Sequence, residues 1–306
     1  MSLAPRHGGA AAPSDVVDAA EFEPRIARRK RVGKVFLAAC AAATLVGLVA
    51  LVVLLLDVAV DGFAYLSWDF LTGKPSRFAS RAGLGPAFAG TLWVLVVTAF
   101  VSFPLGVATA IWLEEYAPRN RWTRLVQINI ANLAGVPSVV YGILGLAVFV
   151  RWMHLGRSVA AGALTLSLLI LPVIIIAAQE AIRAVPNSIR LGAYGLGATR
   201  WQTVRHHVFP MALPGILTGT ILALSRAVGE TAPLIMIGAL LFVPFVPNGL
   251  LDAFTVIPIQ VFNWVSRPQT EFHGLAAAGI LVLLAVLLTM NTAAILLRNR
   301  YTRDDS

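Results

Sequence analysis

Six stretches of about 20 or more largely apolar residues dominate this chain: Val35–Leu56, Phe88–Leu113, Ile130–Val150, Val159–Gln179, Met211–Leu241 and Leu275–Leu297. A hydrocarbon core ~30 Å thick takes about 20 such residues per helical crossing. The chain therefore reads as an all-α integral membrane protein with six transmembrane helices. Its 306 residues are 58% hydrophobic and only 13% charged, against about 25% charged in an ordinary soluble domain. The fifth stretch has 31 residues, or about 46 Å as a straight helix. That exceeds one simple crossing, and Pro214, Gly229 and Pro233 point to a helix that kinks, tilts or projects beyond the bilayer.

The net charge of +9 reflects topology rather than nucleic-acid binding. Six crossings put both termini on one side, and 17 of the 24 Lys and Arg residues fall on that side. The opposite loops hold six, Lys74, Arg77, Arg81, Arg151, Arg157 and Arg267, and Arg226 lies within the fifth stretch. This is the positive-inside pattern, which makes both termini cytoplasmic. Residues 1–34 form a basic cytoplasmic tail, rich in Ala, Gly and Pro over its first 24 residues. The apolar run that follows is longer than the ~7–15-residue core of a cleaved signal and reads as a retained anchor. Cys40 is the single cysteine, so no intrachain disulfide forms.

Arg226 and Glu230 stand four residues apart inside an apolar helix. A charge near the bilayer centre costs ~2.5–3.5 kcal/mol on insertion scales, so the pair is expected to face protein or a water-filled path. Residues i and i+4 share a helix face. A guanidinium offers planar, bidentate donors to an oxyanion, and a neighbouring carboxylate neutralises it when no anion is present. The alternative is a salt bridge that only holds the helix against its neighbours. Ser225, Thr231 and Tyr141 are weaker candidates for lining the same path. The third crossing carries Asn129, Asn132, Gly135, Pro137, Ser138, Tyr141 and Gly142, which favour interhelical hydrogen bonds and close packing, with a lining role second. Glu180, at the end of the fourth crossing, reads as a surface residue.

Between residues 181 and 210 the chain turns polar and basic. Pro186-Asn187-Ser188 reads as a helix start, with Asn187 or Ser188 as cap. Gly195 and Gly197 interrupt, and Thr199 caps a second short helix carrying Trp201, Val204 and His207. A helix–Gly–helix at the membrane surface suits docking on a partner. Beyond the fifth crossing, Pro244, Pro247, Pro258 and Pro268 alternate with Phe254, Phe262, Trp264 and Phe272, the pattern of an interfacial or partly re-entrant element. No phosphate-binding Gly-x4-Gly-Lys-Ser/Thr loop is present. The five histidines lack metal-ligand spacing, and no nucleophile–base set can be assembled. No catalytic or metal residue and no bound cofactor are expected, so energy must come from elsewhere.

Gly192-Ala193-Tyr194-Gly195-Leu196-Gly197-Ala198-Thr199-Arg200-Trp201 through Phe209-Pro210 resembles the cytoplasmic "EAA loop" of ABC importer permeases. Ala193, Gly197 and Phe209-Pro210 match the pattern, while Leu191 stands at its Glu and Gly192 at its first Ala. Leu224-Ser225-Arg226-Ala227-Val228-Gly229-Glu230-Thr231-Ala232-Pro233 resembles a signature of phosphate ABC importer permeases. So do Glu115-Tyr116-Ala117, the run Leu133–Gly142, and Asn263-Trp264-Val265-Ser266-Arg267-Pro268. The last is closest to the A-type membrane subunit of the Pst phosphate system.

The resemblance implies the type I, MetI-like permease architecture in a prokaryotic plasma membrane, moving inorganic phosphate inward. It implies as partners a second permease of the C type, a dimer of B-type ATPase subunits that bind the ATP, an S-type extracytoplasmic phosphate-binding protein, and membrane lipid. Residues 181–214, with Ala193, Gly197, Ala198, Thr199, Arg200, Trp201, Phe209 and Pro210, would couple to the ATPase. On this reading 35–84 is a first helix with an external loop, 85–300 the permease domain and 301–306 a cytoplasmic tail. A sulfate or molybdate permease shares the loop but not the Arg-x3-Glu-Thr-Ala-Pro run. A stand-alone secondary carrier would have no use for a docking segment.

Overall fold

The computed structural model describes residues 19–239 and 242–303. The tail read over residues 1–18, the end of the fifth stretch at 240–241 and residues 304–306 lie outside them. The chain divides into two units, Met1–Asp57 and Val58–Ser306. The first contains most of helix α1 (Ala19–Phe63), whose Arg28–Phe63 portion is long and apolar enough to cross a membrane.

The second unit is a helical bundle. The short α2 (Trp68–Thr72) is capped by Ser67, whose Oγ accepts from Phe70 N. Then come α3 (Gly85–Ile111), α4 (Arg121–Ala134), α5 (Ser138–Gly145) and α6 (Val159–Arg183). They are followed by α7 (Asn187–Gly195), α8 (Arg200–Thr203), α9 (Phe209–Gly229) and α10 (Ala232–Met236). The unit closes with α11 (Ile257–Val265) and α12 (Glu271–Arg303). Among the described residues the only β-type pairing is an isolated bridge, Ser158 with Ala253.

Small residues set the packing, as expected where lipid removes the hydrophobic drive between helices. A Cβ on Gly106 of α3 would lie 2.6 Å from Ile174 of α6, and Thr98 Oγ1 of α3 donates to Ala163 O of α6 at 3.2 Å. The two helices therefore run parallel. α9 runs antiparallel to α6, with Gly215 against Ala181 and Gly219 against Ala177. The first turn of α6 is satisfied from outside the helix: Val159 N donates to Asp252 O and Ala160 N to Leu250 O, consuming amides that have no intrahelical partner. α11 is inserted between α3 and α12, with Ile257 N donating to Thr91 Oγ1 and Trp264 fully buried. Within the 242–273 segment, residues 254–260 and Trp264 are thus packed, while Phe242, Phe245, Val246, Leu250 and Leu251 stay exposed.

Two of the expected crossings are corrected. The third is not one helix over 130–150: α4 starts at Arg121, the chain breaks at Gly135-Val136-Pro137, and α5 leaves at 101°. Pro137 carries no N–H and forces Val136 out of the helical region. The halves still make a single passage. Ile130 of α4 clusters with Ile182 and Val185 at one end of α6, while Gly145 of α5 abuts Thr165 toward the other. The fifth crossing stops at Gly229, because Glu230 takes an extended backbone (φ −78°, ψ 107°) before α10.

The docking segment is corrected as well. Pro186, not Asn187 or Ser188, occupies the cap position of α7, and no side chain caps it. The helix begun at Thr199 is not separate, since Arg200–Gly229 runs as one span through a π-helical turn at Val204–Val208. There Phe209 N donates to Val204 O, which shifts the ladder just ahead of Pro210, a residue without an amide to donate.

Candidate functional site

Arg226 lies in the last turn of α9, where the free carbonyls of a helix end favour a cation. Its Nε donates to Glu230 Oε1 at 3.3 Å, with the Arg226 side chain 61% exposed and that of Glu230 19%. Because α9 breaks at Gly229, the pair spans the helix end rather than one face of a continuous helix. Such an exposed single contact is weakly stabilising, ~0.2–1 kcal/mol, so it suits exchange with another anion better than clamping.

Arg226 shares a crevice with Tyr141, Leu133, Val136, Leu169, Ile170 and Val173. Leu169–Val173 is the middle of the 25-residue α6, so the guanidinium stands level with the centre of the bundle. The break between α4 and α5 sits at that same level. Tyr141, 6% exposed, donates its hydroxyl to Leu133 O at 2.8 Å, a carbonyl that also accepts from Val136 N at 3.1 Å, so the hydroxyl braces the break. Gly142 packs on Pro233 and Met236 of α10. Two interrupted helices and one charged pair thus converge at mid-depth.

The remaining path candidates point elsewhere. Ser225 Oγ donates to Asn291 Oδ1 of α12 at 2.8 Å, a hydrogen bond between helices turned away from Arg226. Thr231 is partly exposed and makes only a 3.5 Å contact to Gly229 O. Asn129, expected to bond between helices, donates to Leu125 O of its own helix. Glu180 is 64% exposed and pairs with Arg183, as a surface residue should.

At the end of the bundle formed by α7 and the last turns of α3 and α6, the coupling candidates form one surface. Ala193 is buried at 6%, Gly197 takes φ +83°, and Ala198 N donates to Ala193 O. Thr199 and Gln202 form a reciprocal capping box. The Arg200 guanidinium lies 5.8 Å from the Tyr116 ring. Phe209 packs on the cluster of Ile182, Val185 and Val208. Outward stand Leu191 (62% exposed), Tyr194, Leu196 (91%) and Trp201 (59%), an apolar patch on an otherwise basic segment.

Contacts the sequence did not reveal hold this surface in place, even where it marked one partner, as at Glu115. Trp112–Tyr116 continues α3 as a π turn. Its Glu114 Oε1 accepts from Gln179 Nε2 (2.8 Å) and Arg183 NH2 (2.6 Å). Its Glu115 accepts from Arg190 of α7. Neither partner is near in sequence, and only the acid–base character of the residues hinted at them. Among the described residues no group of His, Cys, Asp or Glu has metal-binding geometry.

Comparison with known proteins places this arrangement. Residues 102–303 match the family "Binding-protein-dependent transport system inner membrane component". The chain is 32% identical over 269 residues to the probable ABC transporter permease protein YqgI of Bacillus subtilis, covering 84% of this chain and 90% of that protein. It is 34% identical over 233 residues to the phosphate transport system permease protein PstA 1 of Mycobacterium tuberculosis, covering 75% and 74%. A chain of the bacterial alginate ABC transporter, solved with a periplasmic protein that holds an alginate pentasaccharide, aligns with TM-score 0.62, 16% identity and coverage of 88% and 96%. A chain of the inward-facing MetNI methionine ABC transporter aligns with TM-score 0.55, 18% identity and coverage of 69% and 94%. These similarities, on a chain with up to six candidate spans among its described residues, mean that the chain is a multi-pass membrane permease and belongs to the family of binding-protein-dependent transport system inner membrane components.

Proposed function

We propose that this protein is the A-type permease subunit of an ATP-driven phosphate importer and forms half of the path by which inorganic phosphate enters the cytoplasm. The observation that carries the reading is the exposed Arg226 guanidinium at mid-depth, held only by Glu230 at 3.3 Å. A tetrahedral oxyanion can replace the carboxylate on the guanidinium fork, and the carboxylate can reclaim it to release the ion inward. The relatives support phosphate as the ion: PstA proteins of Mycobacterium leprae, Xylella fastidiosa and Haemophilus influenzae align at 34%, 30% and 28% identity.

In this reading the exposed side of Arg226 faces a C-type permease, and the two chains enclose the path. The patch of Leu191, Leu196 and Trp201 docks on a dimer of B-type ATPase subunits, which bind the ATP; the permease itself carries no cofactor. An S-type binding protein delivers phosphate on the opposite face. Both termini and α7 lie in the cytoplasm, supported by the concentration of Lys and Arg on that side.

The test is uptake of labelled phosphate by cells expressing the assembled transporter with Arg226→Gln or Glu230→Gln, with assembly checked by co-purification. Loss of uptake in an intact complex supports the path. Loss of assembly makes the pair structural, and unchanged uptake in both variants removes it from the mechanism. Uptake of sulfate in place of phosphate by the unaltered protein would overturn the choice of ion.

A further inference from the structure

The last turn of α3, the start of α4 and the last turn of α6 enclose an open concavity of about 540 Å³ at the end that carries α7. Arg119, Arg121, Arg124 and Arg183 line it, with Glu114 as its carboxylate. That carboxylate is committed: its Oε1 accepts from both Gln179 and Arg183, and Arg183 also reaches Glu180 at 2.9 Å. Arg119, Arg121 and Arg124 take part in none of the ion pairs among the described residues. Three uncompensated guanidinium groups around one hollow repel each other, and a concave wall concentrates their field on whatever enters it. The planar fork of Arg matches the oxygens of a phosphate.

α4 places the hollow at the membrane surface. Asn120 caps the helix, its Oδ1 accepting from Thr123 N at 2.8 Å, which fixes Arg121 and Arg124 in the first helical turn. Trp122 is 76% exposed between them, and Leu125, Val126 and Ile128 follow as exposed apolar side chains. Basic residues and a Trp at the start of an amphipathic helix suit the headgroup layer.

We propose that this hollow binds a phosphate oxyanion from the cytoplasmic side, supplied by the headgroup of an anionic phospholipid or by free inorganic phosphate. That the face is cytoplasmic rests on the orientation given under the proposed function. An occupant would tie the start of α4 to the ends of α3 and α6, one residue along from Glu115 and its bond to Arg190.

The experiment uses the assembled transporter, unaltered or with R119Q/R121Q/R124Q in this subunit. One arm measures retention of phosphatidylglycerol in phosphatidylcholine nanodiscs by native mass spectrometry. The other measures equilibrium binding of labelled inorganic phosphate to lipid-stripped complex, with the binding protein omitted and Arg226→Gln present in both forms to silence the path. At ~1 kcal/mol per basic residue near a membrane surface, the triple variant should lose about a hundredfold in phosphatidylglycerol affinity. A loss in the first arm alone assigns the lipid headgroup, and a loss in the second alone assigns free phosphate. Equal binding by both forms in both arms overturns the site. Failure of the triple variant to co-purify with the ATPase overturns it too, because the arginines would then face that subunit; R119K/R121K/R124K, which keeps the charge, separates this from misfolding. Phosphate uptake by the unaltered complex is scored in parallel, so a failure of the importer reading is seen separately.

Discussion

Arg190 of α7 places its Nη2 2.7 Å and its Nε 3.0 Å from Glu115 Oε1 at the end of α3, across 75 residues of sequence. The same guanidinium donates to Ile182 O and Val185 O at the end of α6. The pair is largely buried, with side-chain exposures of 16% and 7%. One side chain therefore fastens α7 to the ends of α3 and α6 at once.

Removing one partner of a buried ion pair costs ~3–5 kcal/mol, because the other charge is left uncompensated. Arg190→Ala should lower the thermal midpoint of the purified complex and release the ATPase subunits. Arg190→Lys should recover only part of both, since one ammonium cannot span Glu115 and two carbonyls. Differential scanning calorimetry and co-purification read the two effects; a wild-type midpoint for Arg190→Ala would remove the clamp.

Gly142 allows α5 to touch α10. A Cβ there would lie 2.7 Å from Met236 Cβ and from the backbone Cα of Pro233, so Gly142→Ala should cost ~1–3 kcal/mol by overpacking. The strain falls where the two interrupted helices meet, so phosphate uptake should drop more than expression does. Immunoblots and uptake on the same cells check this.

Tyr141→Phe removes one of the donors to the Leu133 carbonyl, which keeps the Val136 amide at 3.1 Å. Loss of a single neutral hydrogen bond costs ~0.5–1.5 kcal/mol. The expected outcome is a lowered thermal midpoint and, by hydrogen exchange, earlier opening of residues 133–141 with little change at α7.

Gly197 and Gly192 should respond in opposite directions. Gly197 takes φ +83° with nothing within 4 Å of its Cβ position, so Gly197→Ala pays only backbone strain, ~1–2 kcal/mol. Gly192 lies inside α7, also with open space around it, and Gly192→Ala should stabilise the helix by ~0.5–1 kcal/mol. Thermal unfolding of the two variants side by side tests the assignment.

Ser225→Ala tests whether Ser225 serves the proposed path or only the packing of α9 on α12. Its hydroxyl is spent on Asn291, so the substitution should cost ~0.5–1.5 kcal/mol of stability and leave the apparent affinity for phosphate unchanged. A shift of that affinity, measured from uptake against concentration, would return Ser225 to the path.

Much of this protein follows from local chemistry. The cost of exposing polar backbone to lipid makes any run of about 20 apolar residues a spanning helix, so the crossings could be counted from composition alone. The turn at Gly197 and the cap at Thr199 were equally legible, because a left-handed backbone and orphan helix amides are met by residues adjacent in sequence. Arg226 was conspicuous because its charge is costly wherever it stands in an apolar segment. Apolarity carries no direction, however. Gly135-Val136-Pro137 is flanked by residues that favour lipid whether the chain continues straight or turns by 101°, and the turn holds because Tyr141 and Gly142 find partners at Leu133 and Pro233. Nor do charges reveal their partners. Arg190 with Glu115, Arg183 with Glu114 and Ser225 with Asn291 are each 66 to 75 residues apart, and only the parallel run of α3 beside α6 and the packing of α9 on α12 bring them together. Local chemistry thus yields up to six candidate spans and an intramembrane charge, whereas the helix breaks and the side chains that tie α7 to the bundle come from the packed fold, because they depend on satisfying polar groups across space rather than along the chain.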